Sequence, residues 1–185
     1  MKGIVFNLLE EVVTAHLGEQ AWDTILANSG VDGAYTSLGN YPEEEFARLL
    51  ECLSLTIGKS NREALKWFGQ LAMPHLVDRY PEFFTAHKGM RSFLLSLNDV
   101  IHAEVRKLYP GADVPVFEFE TPAGAAAHDT LIMHYRSKRK LCQLAEGFIA
   151  GASAQFGEVV TVTQPNCMLD GAPSCAIVCR FEKRG

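Results

Sequence analysis

A single imidazole interrupts an apolar helical pattern in the stretch FLLSLNDVIHAEVRKLYPGA, residues 93–112. On a helical wheel the neighbours of His102 are Leu95, Asn98, Val105 and Arg106, at the border of the apolar stripe. A histidine at such a border is most often a satisfied structural residue, yet a neutral imidazole is also the commonest metal ligand among side chains. Spacing alone leaves both roles open. Further on, Tyr135, Ser137 and Arg139 stand at i, i+2 and i+4. On an extended segment their side chains share one face over roughly 13 Å, at ~3.3 Å per residue. A phenol, a hydroxyl and a guanidinium so aligned suit a pair of carboxylates, with Arg139 able to grip one bidentately. An iron porphyrin asks for both features, an axial imidazole and partners for two propionates. The competing description of the tripartite pattern is a strand end with a solvated basic face.

The remaining candidates carry less chemistry. Five cysteines, an odd number with no secretion signal, point to reduced thiols or metal ligands and not to a disulfide framework. Cys52 fits a small core residue. His16, His75, His87, His128 and His134 show no partner pattern, and strand alternation turns His134 away from Tyr135. Glu43, Glu44 and Glu45 fall in a first helical turn, where they compensate the helix dipole. With no nucleophile–base pair, carboxylate dyad or phosphate loop in the sequence, an enzyme is not expected.

These residues need elements to position them. From Met1 to about Leu108 the apolar spacing is helical, beginning with Ile4, Val5, Leu8, Leu9, Val12 and Val13. Gly30 and Gly58 end helices, Pro42 opens one, and Ser60 with Glu63 forms a capping-box pattern. The stretch 91–108 reads as one helix stopped by Pro110 and Gly111. Then the period changes. VPVFEFET (114–121) and TLIMHYRS (130–137) read as strands, as do EVVTVTQ (158–164) and CAIVCRFEK (175–183). Between the pairs, residues 138–156 read as a helix whose Gly147, Ala150, Gly151 and Ala154 admit something bulky at close range. The expected fold is α+β, a helical N-terminal lobe of about residues 1–110 packed on an antiparallel four-stranded sheet of ββαββ order in 111–185, the whole forming a single domain.

Composition narrows the class. Nearly half the 185 residues are apolar and 21% are charged, the balance of a packed globule. A net charge of −5 speaks against nucleic-acid binding, and no apolar run approaches the roughly 20 residues of a membrane span. Glu10 and Glu11 interrupt the N-terminal apolar run, so no signal peptide is expected and the cytoplasm is the expected location.

Tyr-x-Ser-x-Arg some thirty residues after a helical histidine resembles the signature of the haem nitric oxide/oxygen-binding (H-NOX) domain. The resemblance runs over essentially the whole chain. It takes in MKG at the start, Phe68–Gly69, YPEFF at 80–84, IHAEVRKLYPGA and Pro115. It implies haem b between two lobes, His102 as the proximal iron ligand, and Tyr135, Ser137 and Arg139 on the propionates. It also implies Pro115 pressing on the macrocycle, although a strand-start proline accounts for that residue equally. In oxygen-binding members a tyrosine nine residues beyond the motif's Tyr stabilises O₂; here Leu144 stands there, with Val5, Leu9 and Leu76 at other apolar distal positions. The resemblance thus implies an NO sensor, with CO as a second candidate ligand, that excludes O₂ and signals to a separate histidine kinase or cyclic-di-GMP enzyme. In a subset of the family, positions matching Cys142, Cys167 and Cys175 hold a structural zinc with a histidine where this chain has Gln164. Cys179, four strand residues from Cys175, lies roughly 13 Å along the chain and is not expected to share that ion. A zinc–thiol redox sensor, or a haem-free module of the same shape binding an apolar molecule, are the alternatives.

Overall fold

In the computed structural model, residues 1–124 and 129–182 are described; His128 and Lys183 lie outside them. Helix α1 (Gly3–Leu17) buries Leu8, Leu9, Val12 and Val13 of the predicted stripe and Phe6 besides, while Ile4 and Val5 are half-buried. Helices α2 (Glu19–Ser29) and α3 (Glu43–Ile57) end at left-handed Gly30 and Gly58, a conformation that glycine adopts without a Cβ penalty. Pro42 is the N-cap of α3. In α4 (Asn61–Arg79) the capping box forms, the Ser60 hydroxyl accepting from the Glu63 amide and the Glu63 carboxylate accepting from the Ser60 amide.

The next stretch departs from its periodicity. Two short helices, α5 (Glu82–Thr85) and α6 (Met90–Leu95), lead to a π-turn, Leu97–Ile101, and only then does α7 (His102–Leu108) begin. The predicted single helix over 91–108 is therefore broken directly before His102. The Ile101 amide donates to the Ser96 carbonyl five residues back, at 3.1 Å, which gives the turn its extra width. The segment is short and densely apolar, which conceals the turn in sequence.

Strands β1 (Val116–Glu120), β2 (Thr130–Arg136), β3 (Val160–Asn166) and β4 (Cys175–Phe181) form one antiparallel sheet of order β1-β2-β4-β3, with α8 (Cys142–Gln155) between the strand pairs. Phe117 pairs with Tyr135, and Tyr135 with Cys175. β1 is an edge strand.

Two apolar cores result. Phe6, Leu9, Phe46, Leu49 and Phe68 build one from α1–α4. The other joins Phe84, Met90, Phe93, Ile101, Leu131, Met133 and Ile177, so α5, α6 and the π-turn bury their apolar faces with the sheet although their helical texture groups them with the N-terminal half. Leu76 and Phe148 pack against both cores.

The small residues of α8 admit a helix. An added Cβ at Gly147 would overlap the Lys66 carbonyl, and one at Gly151 would lie 2.5 Å from the Gln70 carbonyl oxygen. On the facing helix, a Cβ at Gly69 would come within 2.6 Å of the Leu144 carbonyl oxygen. Backbone-to-backbone approach of α4 and α8 is what these glycines serve. Across the crossing the buried Glu146 carboxylate accepts from Lys66 at 3.0 Å, so the carboxylate is not buried without a partner.

Candidate functional site

Where the two cores meet, the chain encloses a largely apolar cavity of about 310 Å³. That size falls at the lower end of small-molecule pockets. Helix α1 contributes Val5 and Leu8, α4 contributes Leu76 and Tyr80, α8 contributes Leu144 and Phe148, and the α7–β1 segment contributes His102, Pro115 and Phe117. Tyr135, Ser137 and Arg139 also line it. The sequence-predicted residues are thus brought together from the two ends of the chain, with one exception. Leu9 is fully buried in the α1–α4 core and does not line the cavity; Leu8, next in sequence, does. Counting along a helix without its rotation places such a position one residue off.

His102 opens α7 as the first residue after the π-turn. Its Nδ1 is closed off from solvent and forms no hydrogen bond with the described residues. Burial lowers its pKa to about 4 and the Arg106 charge adds to this, while the nearby Pro115 carbonyl acts the other way. The ring is accordingly neutral at neutral pH, with a nitrogen lone pair to offer. The Phe117 ring stacks beside it, centroids 5.9 Å apart and planes 27° from parallel.

At the motif, strand β2 ends at Arg136, so only Tyr135 is on the strand; Ser137 and Arg139 lie in the turn before α8. The expected extended alignment over residues 135–139 is replaced by a turn in which Lys140 takes a positive φ of 53°. All three side chains nevertheless reach the cavity. The Tyr135 hydroxyl accepts from the Leu141 amide at 3.0 Å, and the Ser137 hydroxyl accepts from the Arg139 amide at 3.2 Å. Burial raises the Tyr135 pKa, against the Ser137 side chain and the Leu141 amide. Arg139 donates through Nε to the Glu43 carboxylate and through a terminal nitrogen to the Asp113 carbonyl at 2.6 Å. Its guanidinium therefore grips a carboxylate at the cavity rim. Glu43 has this role besides dipole compensation, and Glu45 accepts from the Tyr35 hydroxyl at 2.8 Å, which the helix-start argument missed.

Two further phenols line the cavity. Tyr80, at the C-terminal end of α4, and Tyr109, at the end of α7, hydrogen-bond to each other through their hydroxyls. Burial raises the Tyr80 pKa, and the bond to Tyr109 adds to it. Nothing in the local sequence signals this pair, because the two residues are 29 positions apart. Phe117 was legible in principle, since the alternation of VPVFEFE puts it on the same face as Pro115 and Phe119.

The thiols gather as well. The sulfurs of Cys142, Cys167 and Cys175 all lie within 4.8 Å of one another and are buried. Cys142 and Cys167 are 3.6 Å apart, Cys167 and Cys175 4.0 Å. Burial pushes the Cys142 thiol up to about 12 and raises Cys175. Beside them the Gln164 carboxamide oxygen accepts from Gln143 at 3.2 Å, and its buried amide nitrogen has no hydrogen-bond partner. Cys179 is apart from this cluster, its sulfur 4.0 Å from that of Met133. The other described histidines have ordinary partners: Val12 for His16, Glu11 for His75, Ser96 for His87 and Glu120 for His134.

Residues 2–164 match the sequence profile of the family described as haem-NO-binding. No curated protein sequence matches the chain. Among solved structures, a triple mutant of the H-NOX protein of Shewanella oneidensis in the Fe(II) state shares 28% identity at a TM-score of 0.91, covering 100% of this chain and 98% of that one. The S. oneidensis protein in the Fe(II)NO state gives 28% and 0.90, over 99% of this chain and 100% of that one. The Fe(II) unliganded H-NOX protein of K. algicida gives 27% and 0.86, over 100% and 98%.

Proposed function

The chain belongs to the haem-NO-binding family, and from that premise we propose that it is an NO-selective sensor, not an enzyme, formed as one domain around haem b. The observation that carries the reading is His102, a neutral imidazole with an unbonded buried nitrogen on the wall of an apolar cavity. The residues fit the group: His102 for the iron, apolar walls for the macrocycle, and Tyr135, Ser137 and Arg139 for the propionates. Pro115 would bear on the macrocycle from the α7–β1 segment. A propionate at Arg139 would take the place that Glu43 and Asp113 now hold. Bound haem supplies a ferrous iron able to take a diatomic gas.

Selectivity follows from what the walls lack. A hydroxyl donor stabilises bound O₂ by an amount on the order of 1–3 kcal/mol, whereas NO needs little such help. Val5, Leu76 and Leu144, the positions expected on the distal side, offer no donor. CO, which also needs no donor, would bind. For output, a separate histidine kinase or cyclic-di-GMP enzyme is proposed on family resemblance. An absorption spectrum tests the reading. The ferrous protein should show a Soret band that shifts with NO and stays put in air; a colourless protein after haem reconstitution would refute it.

The thiols support a second, structural reading. Three sulfurs at this spacing fit three positions of a zinc site, since ligands ~2.3 Å from one ion lie roughly 4 Å apart. The fourth does not fit, because Gln164 offers a carboxamide where a histidine nitrogen would serve. We propose zinc held by Cys142, Cys167 and Cys175, checked by metal content in purified protein.

A further inference from the structure

We propose that Asn98 is a positioning residue for His102, acting through Phe117. The Asn98 carboxamide spans one residue of β1: its nitrogen donates to the Phe117 carbonyl at 2.5 Å, and its oxygen accepts from the Phe117 amide at 3.1 Å. β1 is paired on one side only, by β2. Both backbone groups of Phe117 face the open edge, where the side chain supplies the donor and acceptor that a further strand would otherwise supply. The strand is thereby pinned to the π-turn that ends at His102.

Pinning the strand fixes the ring. Phe117 is buried, stacks on the His102 imidazole and contacts the Tyr135 ring at 5.7 Å, so it stands between the two groups that the haem reading needs most. Asn98 also lies within the π-turn, whose amides at Ile101 and His102 reach back five residues to Ser96 and Leu97. Closing that wide turn to α-helical form would rotate His102 by about 100° around the helix axis. The carboxamide holds the turn from one side and the stacked ring holds the imidazole from the other. A merely structural hydrogen bond would stabilise the edge without deciding where the imidazole points; here the same two bonds do both. The functional consequence rests on His102 being the haem ligand, whereas the positional link does not.

The test uses Asn98→Ala and Phe117→Leu, the latter keeping the backbone bonds and removing the ring. By NMR of haem-free protein, Asn98→Ala should raise exchange of the Phe117 amide about tenfold, the effect of one ordinary hydrogen bond. It should also move the His102 ring protons toward the values of a free histidine. Phe117→Leu should leave the amide protected and move the ring protons. In haem-loaded protein, Asn98→Ala should retain full haem content while the ferrous iron–histidine stretching band shifts and broadens. Unchanged His102 ring protons in either variant, or an unchanged band in loaded Asn98→Ala, would overturn the proposal. If the wild type takes up no haem while the ring protons respond as expected, the haem reading falls and the positioning role stands. Should Asn98→Ala fail to fold, Asn98→Ser, a shorter side chain that cannot span both backbone groups, takes its place with the same readouts.

Discussion

Replacing His102 by Leu should flatten the acid limb of the haem-free protein's stability. In the fold the imidazole pKa stands at about 4, against an ordinary 6.5, chiefly because burial disfavours the charged ring. Between those values the unfolded chain binds a proton that the folded chain refuses. Stability therefore rises with pH through this window, and the contribution present above 6.5 is lost as pH falls toward 4. The full gap corresponds to about 3 kcal/mol. Water reaching the half-buried ring screens part of it, so about 1–3 kcal/mol is expected. Leucine fills similar space and cannot titrate. Urea unfolding of wild type and His102→Leu at pH 7.5 and 4.5 isolates the imidazole, since carboxylates contribute equally to both proteins. At roughly 2 kcal/mol per molar urea, the wild-type midpoint should drop about 0.5–1.5 M further than the variant's. Equal drops would mean that the ring accepts its proton in place, and the claim of a neutral, available imidazole would be refuted.

Other perturbations address the rest of the site. Arg139→Ala removes charge-assisted donors from the cavity rim, and haem should pass to an acceptor apoprotein at least about tenfold faster; an unaltered transfer rate would contradict a propionate role. Leu144→Tyr places a hydroxyl on the cavity wall and should raise O₂ affinity about ten- to a hundredfold, seen as an oxy spectrum that persists in air. Gly147→Ala forces a methyl against the Lys66 carbonyl at the α4–α8 crossing and should cost about 1–3 kcal/mol in urea unfolding, with no cost if the helices can separate freely.

Much of the architecture was legible because it is written in local periodicity. The glycine stops, the capping box at Ser60 and the strand alternation each depend on residues a few positions apart, and each is found where expected. What escaped depends on distance in sequence. Arg139 meets Glu43 across 96 positions, and the glycines of α8 face α4 because of how two helices cross, which neither helix encodes alone. The π-turn escaped for a different reason. One residue added to a helical turn shifts the later positions by about 100°, but over so short and densely apolar a stretch the shift does not stand out, so 91–108 reads as one helix although the backbone changes class directly before His102. Leu8 and Leu9 show the same limit, since adjacent leucines in an apolar helix are interchangeable in pattern, yet of these two members of the α1–α4 core Leu8 alone lines the cavity.

The site's polar contacts are concentrated at places that connect the two cores. Arg139, just past β2, grips Glu43 at the start of α3, and Tyr109 at the end of α7 holds Tyr80 at the end of α4. Asn98 ties the α6–α7 turn to β1. The aliphatic part of the cavity wall adds no directional bonds of its own, and such contacts can slide where hydrogen bonds cannot. Any displacement of α7 must then stretch the Tyr109–Tyr80 bond, draw the end of α4 along, or break the Asn98 clip and free β1. The first two carry the change into the helical core through Leu76, one turn before Tyr80, and the third carries it into the sheet through Phe117 and Tyr135. A site built in this way has a few discrete rearrangements open to it in place of a continuum, which suits the sensing role proposed above.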